Sequence, residues 1–320
     1  MRVSTNSFTN NFLYEIGNLE SQQTTLQSEV GTGLKLTEPE DDPSAMNQVL
    51  NLQTEASSTA QYQSNIAQIQ TTATTASDAL NSLQTLVEQA GEIATEAGNS
   101  DTSSTQLSTY AATVGNLISE AMGIANTQDS NNNYIFAGTN TGTAPFTATT
   151  DSNGNVTSVT YNGNTSVASS EIASGLTVSA QSPGENNSGS GPGGVFADSR
   201  AGADVFAHLI ALQQDLTTAA ANGNTSADTT AITADHTNLT KDEDNVVTQI
   251  STNAVLQSTL ETASNVAQQQ ATTFTSQLSN DTNADLATTL TQLQQTQTAY
   301  QASLQSGAMV MQLSLMTFLS

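Results

Sequence analysis

The chain has 320 residues, enough for two or more domains, yet only 36% are apolar and 4% aromatic, which favours elongated folds with narrow cores. Four basic residues against 29 acidic ones give a net charge of −25, a surface that repels nucleic acid and anionic membranes, so we expect neither as a partner. The absence of cysteine excludes disulfides, thiol catalysis and cysteine-ligated metals.

The N-terminus also argues against a conventional secretory route. MRVSTNSFTN lacks the basic and then apolar run of a signal peptide, and no apolar stretch reaches the roughly 18 residues of a membrane span. We therefore expect a soluble chain without membrane insertion. Export from the cell would have to occur without a cleaved signal peptide.

The first predicted element is an N-terminal helix with a heptad seam. Its apolar positions alternate steps of four and three residues, the spacing of a coiled coil. Gly31 and Gly33 are predicted to end this helix as C-caps. The seam consists of Phe12, Ile16, Leu19, Gln23, Leu26 and Val30.

An acidic stretch, TEPEDDPSAM, follows at residues 37–46. Its four carboxylates could in principle ligate calcium or form a catalytic pair, but their spacing is not that of an EF-hand loop. Proline disfavours helix in the residue before it and suits a first helical turn, so we interpret the stretch as an elbow that caps the next helix. The elbow residues are Pro39, Asp41, Asp42 and Pro43, with Glu38 and Glu40 beside them.

Long helical patterns then enclose a segment rich in strand-type residues. One pattern runs from about residue 45 to residue 97, and a second, shorter one carries Leu107, Val114 and Leu117. Between residues 134 and 199 the composition shifts towards strand-type residues. Asn153-Gly154 and Asn162-Gly163 predict hairpin turns in a small β insert there. The run SPGENNSGSGPGG at 182–194 is predicted to be a flexible loop that does not pack.

Helical spacing resumes after Arg200 and continues to the C-terminus. A short helix closes near Asn222-Gly223, a long one carries a seam from Leu239 to Leu278, and the last begins near Leu286. If the two terminal helices pair antiparallel, facing residues should have numbers that add up to about 320: Ile16 with Leu304, Val30 with Leu290, and Gln23 with Gln297 as a polar layer. The seam of the last helix is predicted to contain Leu290, Leu293, Gln297, Tyr300, Leu304, Met311 and Leu315.

Other candidate chemistry is weak. Asp281, Asn283 and Asp285 begin like a calcium loop but lack its later residues, and helix capping explains them better. Asp204 and His208 are four residues apart, a spacing that could orient the imidazole, but no G-x-S-x-G elbow supplies a nucleophile. We predict no catalytic, cofactor-binding or metal-binding residue.

The predicted fold class is mainly α with a small β insert. Its predicted domains are terminal coiled-coil helices at 1–36 and 283–320, a long helical-bundle rod at 37–133 and 200–282, and a β-rich outer domain at 134–199. The terminal seams lie outside the rod in sequence and end in the apolar AMVMQLSLMTFL, so we interpret them as an assembly interface.

Three stretches carry a resemblance to a known family. MRVSTNSF, VGTGLKLTEPEDDPSAM and QTQTAYQASLQSGAMVMQLSLMTFL resemble the flagellin family, and YIFAGTNTGTAPF with the VTYNGN segment resembles the β insert of its hook–filament junction members. Lys35 lacks the further basic residues that often follow in the family, and the tail lacks the usual final charge. Both departures leave the details of pairing between subunits open.

The resemblance implies a structural, non-enzymatic protein of the extracellular bacterial flagellum, exported unfolded through the type III apparatus. It also implies partners: further copies of itself in a ring, hook-associated protein type 1, flagellin and an export chaperone. Filament flagellin is the alternative within the family. An extracellular coiled-coil adhesin that binds ligand through the β insert is the alternative outside it, and a carboxylate-pair glycosidase is a remote third.

Overall fold

The computed structural model describes the backbone of residues 5–319 and the side chains of residues 9–310 and 312. Within that range the chain forms six helices: α1 Thr5–Thr32, α2 Pro43–Ala97, α3 Ser104–Ala125, α4 Val205–Asn222, α5 Ser226–Thr282 and α6 Leu286–Leu319. Seven short strands lie between α3 and α4: β1 Phe146–Thr150, β2 Val156–Tyr161, β3 Ser170–Ala173, β4 Leu176–Val178, β5 Glu185–Asn186, β6 Ala197–Asp198 and β7 Ala203–Asp204. The predicted fold class, mainly α with a small β insert, is confirmed.

The described residues form two compact units. The first contains the residues up to Ser58 together with those from Gln269 onward, and the second spans Thr59–Gln268. The threefold domain division from the sequence stays a prediction. No helix in the described range combines the length and the apolar character needed to cross a membrane.

The core of the second unit follows the predicted helical seams. Leu107, Val114 and Leu117 of α3 are buried against α4, whose Leu209, Leu212 and Leu216 are fully buried. Gly223 ends α4 in the left-handed conformation with φ of 80°, as the Asn222-Gly223 signal predicted. The resulting core is a thin apolar stripe repeated along several helices, as the low apolar fraction requires.

A cluster of aromatic rings attaches the strand-bearing segment to α4. Phe196 contacts the rings of Phe136, Phe146 and Phe206 with centroid separations of 5.5, 5.1 and 5.5 Å. The Tyr161 ring lies 5.0 Å from Phe146, and its hydroxyl donates to the carbonyl oxygen of Phe136 at 3.0 Å. Four of the eight phenylalanines therefore meet at one place, which explains how so aromatic-poor a chain still builds a core.

The strands form three small sheets. β1 pairs antiparallel with β2, β3 pairs antiparallel with β4, and β6 pairs with β5 in parallel and with β7 antiparallel. Asn153-Gly154 does lie in the β1–β2 turn, but only Gly154 has positive φ, and the Asp151 carboxylate accepts from the Asn153 and Asn155 amides. The turn is therefore an Asx-type loop rather than the predicted turn with two positive φ angles.

The second predicted hairpin turn was wrong. Asn162-Gly163 follows β2, but β2 does not pair with β3, and Gly163 packs under the Tyr161 ring without positive φ. The glycine is needed for close approach of that ring, because a Cβ at position 163 would overlap the ring atoms. Asn-Gly therefore marked a packing constraint here rather than a turn.

The prediction that residues 182–194 do not pack was also wrong. Asn186 is fully buried, and its amide donates to the carbonyl oxygens of Ser190 at 2.7 Å and Pro192 at 2.6 Å. The Gly194 amide donates to the Asp198 carboxylate at 3.2 Å. These bonds satisfy the polar groups of the loop internally, so its glycine-rich composition reflects close backbone contact.

We predict that Gly194→Ala lowers the free energy of unfolding by about 2–4 kcal/mol. A Cβ at position 194 would overlap the carbonyl oxygen of Ala197 and lie 2.5 Å from the Asn186 nitrogen, and neither backbone atom can move aside. The matched control is Gly142→Ala, where nothing lies within 4 Å and the change should stay within about 0.5 kcal/mol. Denaturant unfolding followed by circular dichroism measures both, and equal midpoints would contradict the packing described.

Candidate assembly site

The predicted seam of α1 is the face that α1 turns away from solvent. Between residues 10 and 28 the only positions that are not exposed are Phe12, Ile16, Leu19, Gln23 and Leu26. Leu26 is 6% exposed, and Val30 is half-buried. This seam packs on α6 within the same chain.

Contacts along the two helices establish their antiparallel register. The Phe12 ring leaves no room for a Cβ at Gly307, and the Thr289 hydroxyl lies 3.5 Å from the Glu29 carboxylate. At the other end of α1 a backbone bridge joins Leu34 and Asn283. The numbers of facing residues therefore add up to between 317 and 319, close to the predicted 320.

The small difference in register changes which face of α6 meets α1. Most α6 positions that are not exposed fall into two series with a spacing of seven residues. One series is Thr289, Thr296 and Ser303, and the other is Leu293, Tyr300 and Gly307. Leu290 and Leu304 are each 45% exposed, so the predicted pairs Ile16 with Leu304 and Val30 with Leu290 were wrong. The inward residues are Thr289, Leu293, Thr296, Gln297, Tyr300, Ser303 and Gly307.

Both helices consequently present apolar side chains to solvent. Leu13 and Tyr14 of α1 are 58% and 71% exposed, and Met309 of α6 is 62% exposed. The predicted interface residues Met311 and Leu315 lie outside the described side chains. The role of the whole set as an interface between molecules stays a prediction.

The junction beside the paired helices is held by backbone hydrogen bonds. Gly33, with φ of 72°, ends α1 and accepts from the Ala284 amide at 2.9 Å. The Lys35 amide donates to the Thr282 carbonyl at 2.8 Å, and its ammonium donates to the Asn280 carbonyl at 3.0 Å. Lys35 thus binds the end of α5 through two backbone carbonyl oxygens.

The elbow has the predicted capping geometry. Asp42 accepts from the Ser44 and Ala45 amides at 2.9 and 3.0 Å, so it is the N-cap of α2, and Pro43 is the first helical residue. Asp41 faces the other way and accepts from the Thr37 and Glu38 amides, each at 3.0 Å. The two aspartates therefore hold the two sides of the elbow, which agrees with the capping interpretation.

An aspartate also caps the start of α6. Asp285 accepts from the Ala287 amide at 3.1 Å and from the Thr288 hydroxyl at 2.7 Å, while Asp281 lies in the last turn of α5. The backbone amide of Glu38 lowers the pKa of Asp41, and the Thr288 hydroxyl lowers the pKa of Asp285. Because both pKa values are lowered, the hydrogen bonds of both aspartates stabilise the fold above the ordinary aspartate range, and this contribution is lost as the pH falls through it.

Candidate catalytic and metal-binding groups do not converge. His208 pairs with Asp242 through Nδ1 at 2.8 Å, not with Asp204. Asp204 is instead the N-cap of α4 and accepts from the Ala207 amide at 3.0 Å. Sequence spacing could not have revealed Asp242, which comes from α5. No group of three or more acidic or histidine side chains in the described part of the chain is arranged to hold a metal.

A family comparison finds that the first part of the chain is similar to flagellins. Residues 3–141 match the bacterial flagellin N-terminal helical region. That range includes α1, the elbow, α2 and α3.

Part of the chain also resembles flagellar hook-associated protein 3. The Salmonella typhimurium protein of that name is 31% identical over 150 residues, which cover 46% of each chain. The chain thus spans about half the length of the curated relatives it matches. The resemblance predicted from the sequence is confirmed.

Solved structures extend the likeness of fold. A Vibrio parahaemolyticus protein assigned as flagellar hook-associated superposes with a TM-score of 0.62 at 20% identity, covering 76% of this chain and 100% of the other. FlgL from Xanthomonas campestris gives a TM-score of 0.57 at 17% identity, covering 70% and 98%. At such identities the likeness establishes the fold alone.

We predict that Gln23→Cys with Thr296→Cys forms an intrachain disulfide under mild oxidation. The register that joins Phe12 to Gly307 places positions 23 and 296 opposite each other, where Thr296 is 6% exposed. The natural chain has no cysteine, so no other thiol in the chain can form a disulfide. Non-reducing electrophoresis of the dilute protein measures the product.

The control pairs Gln23→Cys with Gln294→Cys, because Gln294 is exposed on the other side of α6. It should crosslink far more slowly. Equal rates for the two pairs would show that α6 has no fixed face towards α1.

Proposed function

We propose that this protein is a structural component of the bacterial flagellum that joins the hook, through hook-associated protein type 1, to the flagellin filament. The proposal rests on the resemblance to flagellar hook-associated protein 3. Copies of the chain assemble side by side into a ring outside the cell. An export chaperone binds the chain before export. Export itself proceeds without a cleaved signal peptide. The role is mechanical and involves no catalysis.

The observation that carries the mechanism is the division of apolar residues on α6. Leu293 and Tyr300 are the only large apolar side chains among its inward positions from 289 to 307. The rest of that seam is threonine, serine, glutamine and glycine, which remove little apolar surface from water. Burying a leucine fully contributes about 1.5–3 kcal/mol, so the α6 half of the seam adds little to the stability of the α1–α6 pair, whose apolar contacts come mainly from α1.

The apolar surface that would strengthen the pair points outward. Leu286, Leu290 and Leu304 are 47%, 45% and 45% exposed. A neighbouring copy that covers them adds stabilisation that one molecule alone does not have, so folding of the ends becomes coupled to assembly. In this proposal α1 and α6 pair with each other through the small-residue seam and with neighbours through the outward leucines.

We expect Leu290→Asn with Leu304→Asn to abolish assembly on seeds, which are hooks that carry hook-associated protein type 1. The α1–α6 pairing should stay intact. Removing the outward leucines weakens each intermolecular contact by about 1–2 kcal/mol, and this loss repeats around the ring. Electron microscopy of seeds incubated with the full chain measures assembly, and the crosslink between positions 23 and 296 reports the pairing.

The matched control is Thr291→Asn with Gln305→Asn, which places the same side chains at the same spacing on exposed positions of α6. This variant should assemble normally. A wild-type chain that grows long filaments would identify a filament subunit instead, whereas a junction protein should stop at a short collar. Normal assembly of the leucine variant would reject the proposed interface.

A further inference from the structure

Three pairs of polar side chains meet between α4 and α5 at intervals of seven residues. In each pair an α5 aspartate faces one α4 residue, and the residue numbers add up to 450 in all three. Seven residues correspond to two helical turns, so the pairs form consecutive layers of one antiparallel seam. The layers are His208 with Asp242, Asp215 with Asp235, and Asn222 with Asp228.

In each outer layer the α4 residue is a hydrogen-bond donor. His208 Nδ1 lies 2.8 Å from Asp242, which is fully buried and also accepts from the Asp204 amide at 2.7 Å. Asn222 donates to Asp228 at 3.3 Å, and the Thr225 amide donates to the same aspartate at 2.8 Å. Both outer aspartates therefore have hydrogen-bond donors on or beside α4.

The middle layer has two acceptors and no donor. Asp235 is 5% exposed, and its Oδ2 atom is buried without a hydrogen-bond partner among the described residues. Asp215 is the α4 residue at the facing register position, midway between His208 and Asn222, and its charge acts on Asp235. Two carboxylates cannot hydrogen-bond to each other unless one is protonated, and two adjacent buried charges repel.

We propose that Asp215 and Asp235 hold one proton between them, that this proton closes the α4–α5 hairpin, and that its loss as the pH rises through neutrality loosens the hairpin. The proton supplies at the middle layer the donor that histidine and asparagine supply at the outer ones. The inference concerns the second unit alone and does not rest on the flagellar role.

The groups around Asp235 favour the protonated form. Burial raises its pKa to about 7, aided by the charge and hydrogen bond of Asp215 and opposed by the charge of His208. The charge of Lys241 acts to lower the pKa of His208. On the side of α5 that meets α2, a groove is lined by further charged or titratable side chains: Glu88, Glu92, Glu96, His236 and Glu243.

The sign of the pH effect follows from proton binding. Since the folded pKa of Asp235 lies above its ordinary 3.8, the folded chain binds more protons than the unfolded chain between these values. Stability therefore falls as the pH rises from about 4 to about 7 and then levels off. For an isolated group with this shift, the unfolding equilibrium constant rises about a hundredfold between pH 5 and pH 8.

The decisive variant is Asp215→Asn, which installs the donor found in the outer layer at Asn222. In the full-length chain we expect the rise in the unfolding constant between pH 5 and pH 8 to shrink at least about tenfold relative to wild type. Amide exchange of α4 residues, corrected for intrinsic rates, should also accelerate above neutral pH in the wild type only. Asp244→Asn removes an exposed charge from α5 and should behave like the wild type.

Asp235→Asn provides a second test if the first variant folds poorly. Infrared difference spectra at pH 6 between wild type and this variant should contain the carbonyl stretch of a protonated carboxylic acid. Absence of that band, or the same pH dependence in wild type and Asp215→Asn, would overturn the proposal.

Discussion

The antiparallel contact between α1 and α6 is the constraint on which the rest of the first unit depends. It joins residues separated by almost the whole chain, as the contact between Phe12 and Gly307 shows. The entropic cost of closing so long a loop grows only slowly with length, so a modest seam can close it if the chain between is already folded. The bridge between Leu34 and Asn283 and the bonds of Lys35 fix the same register at the other end of α1.

On the α6 side this contact uses close approach rather than apolar bulk, and in α2 polar side chains find acceptors within the helix. In α2 the hydroxyl groups of several threonines donate to the carbonyl oxygen four residues earlier, so a threonine-rich helix satisfies its own polar groups. Such a helix needs few apolar residues outside its contact face. These threonines include Thr54, Thr71, Thr74, Thr75 and Thr85.

Polar layers also give the second unit its specificity. A thin apolar core tolerates sliding of one helix along another, because neighbouring apolar positions resemble each other. Asn245 donates to the carbonyl oxygens of Gly194 and Val195, each at 3.0 Å, and Asn253 donates to the Ala73 carbonyl at 2.9 Å. Sliding would leave these buried groups unpaired at a cost of about 1–3 kcal/mol each, which selects one register.

The sequence by itself determined the seam of α1, the caps at Asp42 and Asp285, the end of α4 at Gly223 and the mainly helical class, because these depend on periodicity and short-range hydrogen bonding. Only the tertiary structure decided that Leu290 and Leu304 point outward, since the choice between adjacent positions such as 289 and 290 depends on how closely α1 approaches. It likewise decided that His208 meets Asp242 and that residues 182–194 pack. Those outcomes depend on groups brought together from distant parts of the chain, which no local pattern encodes.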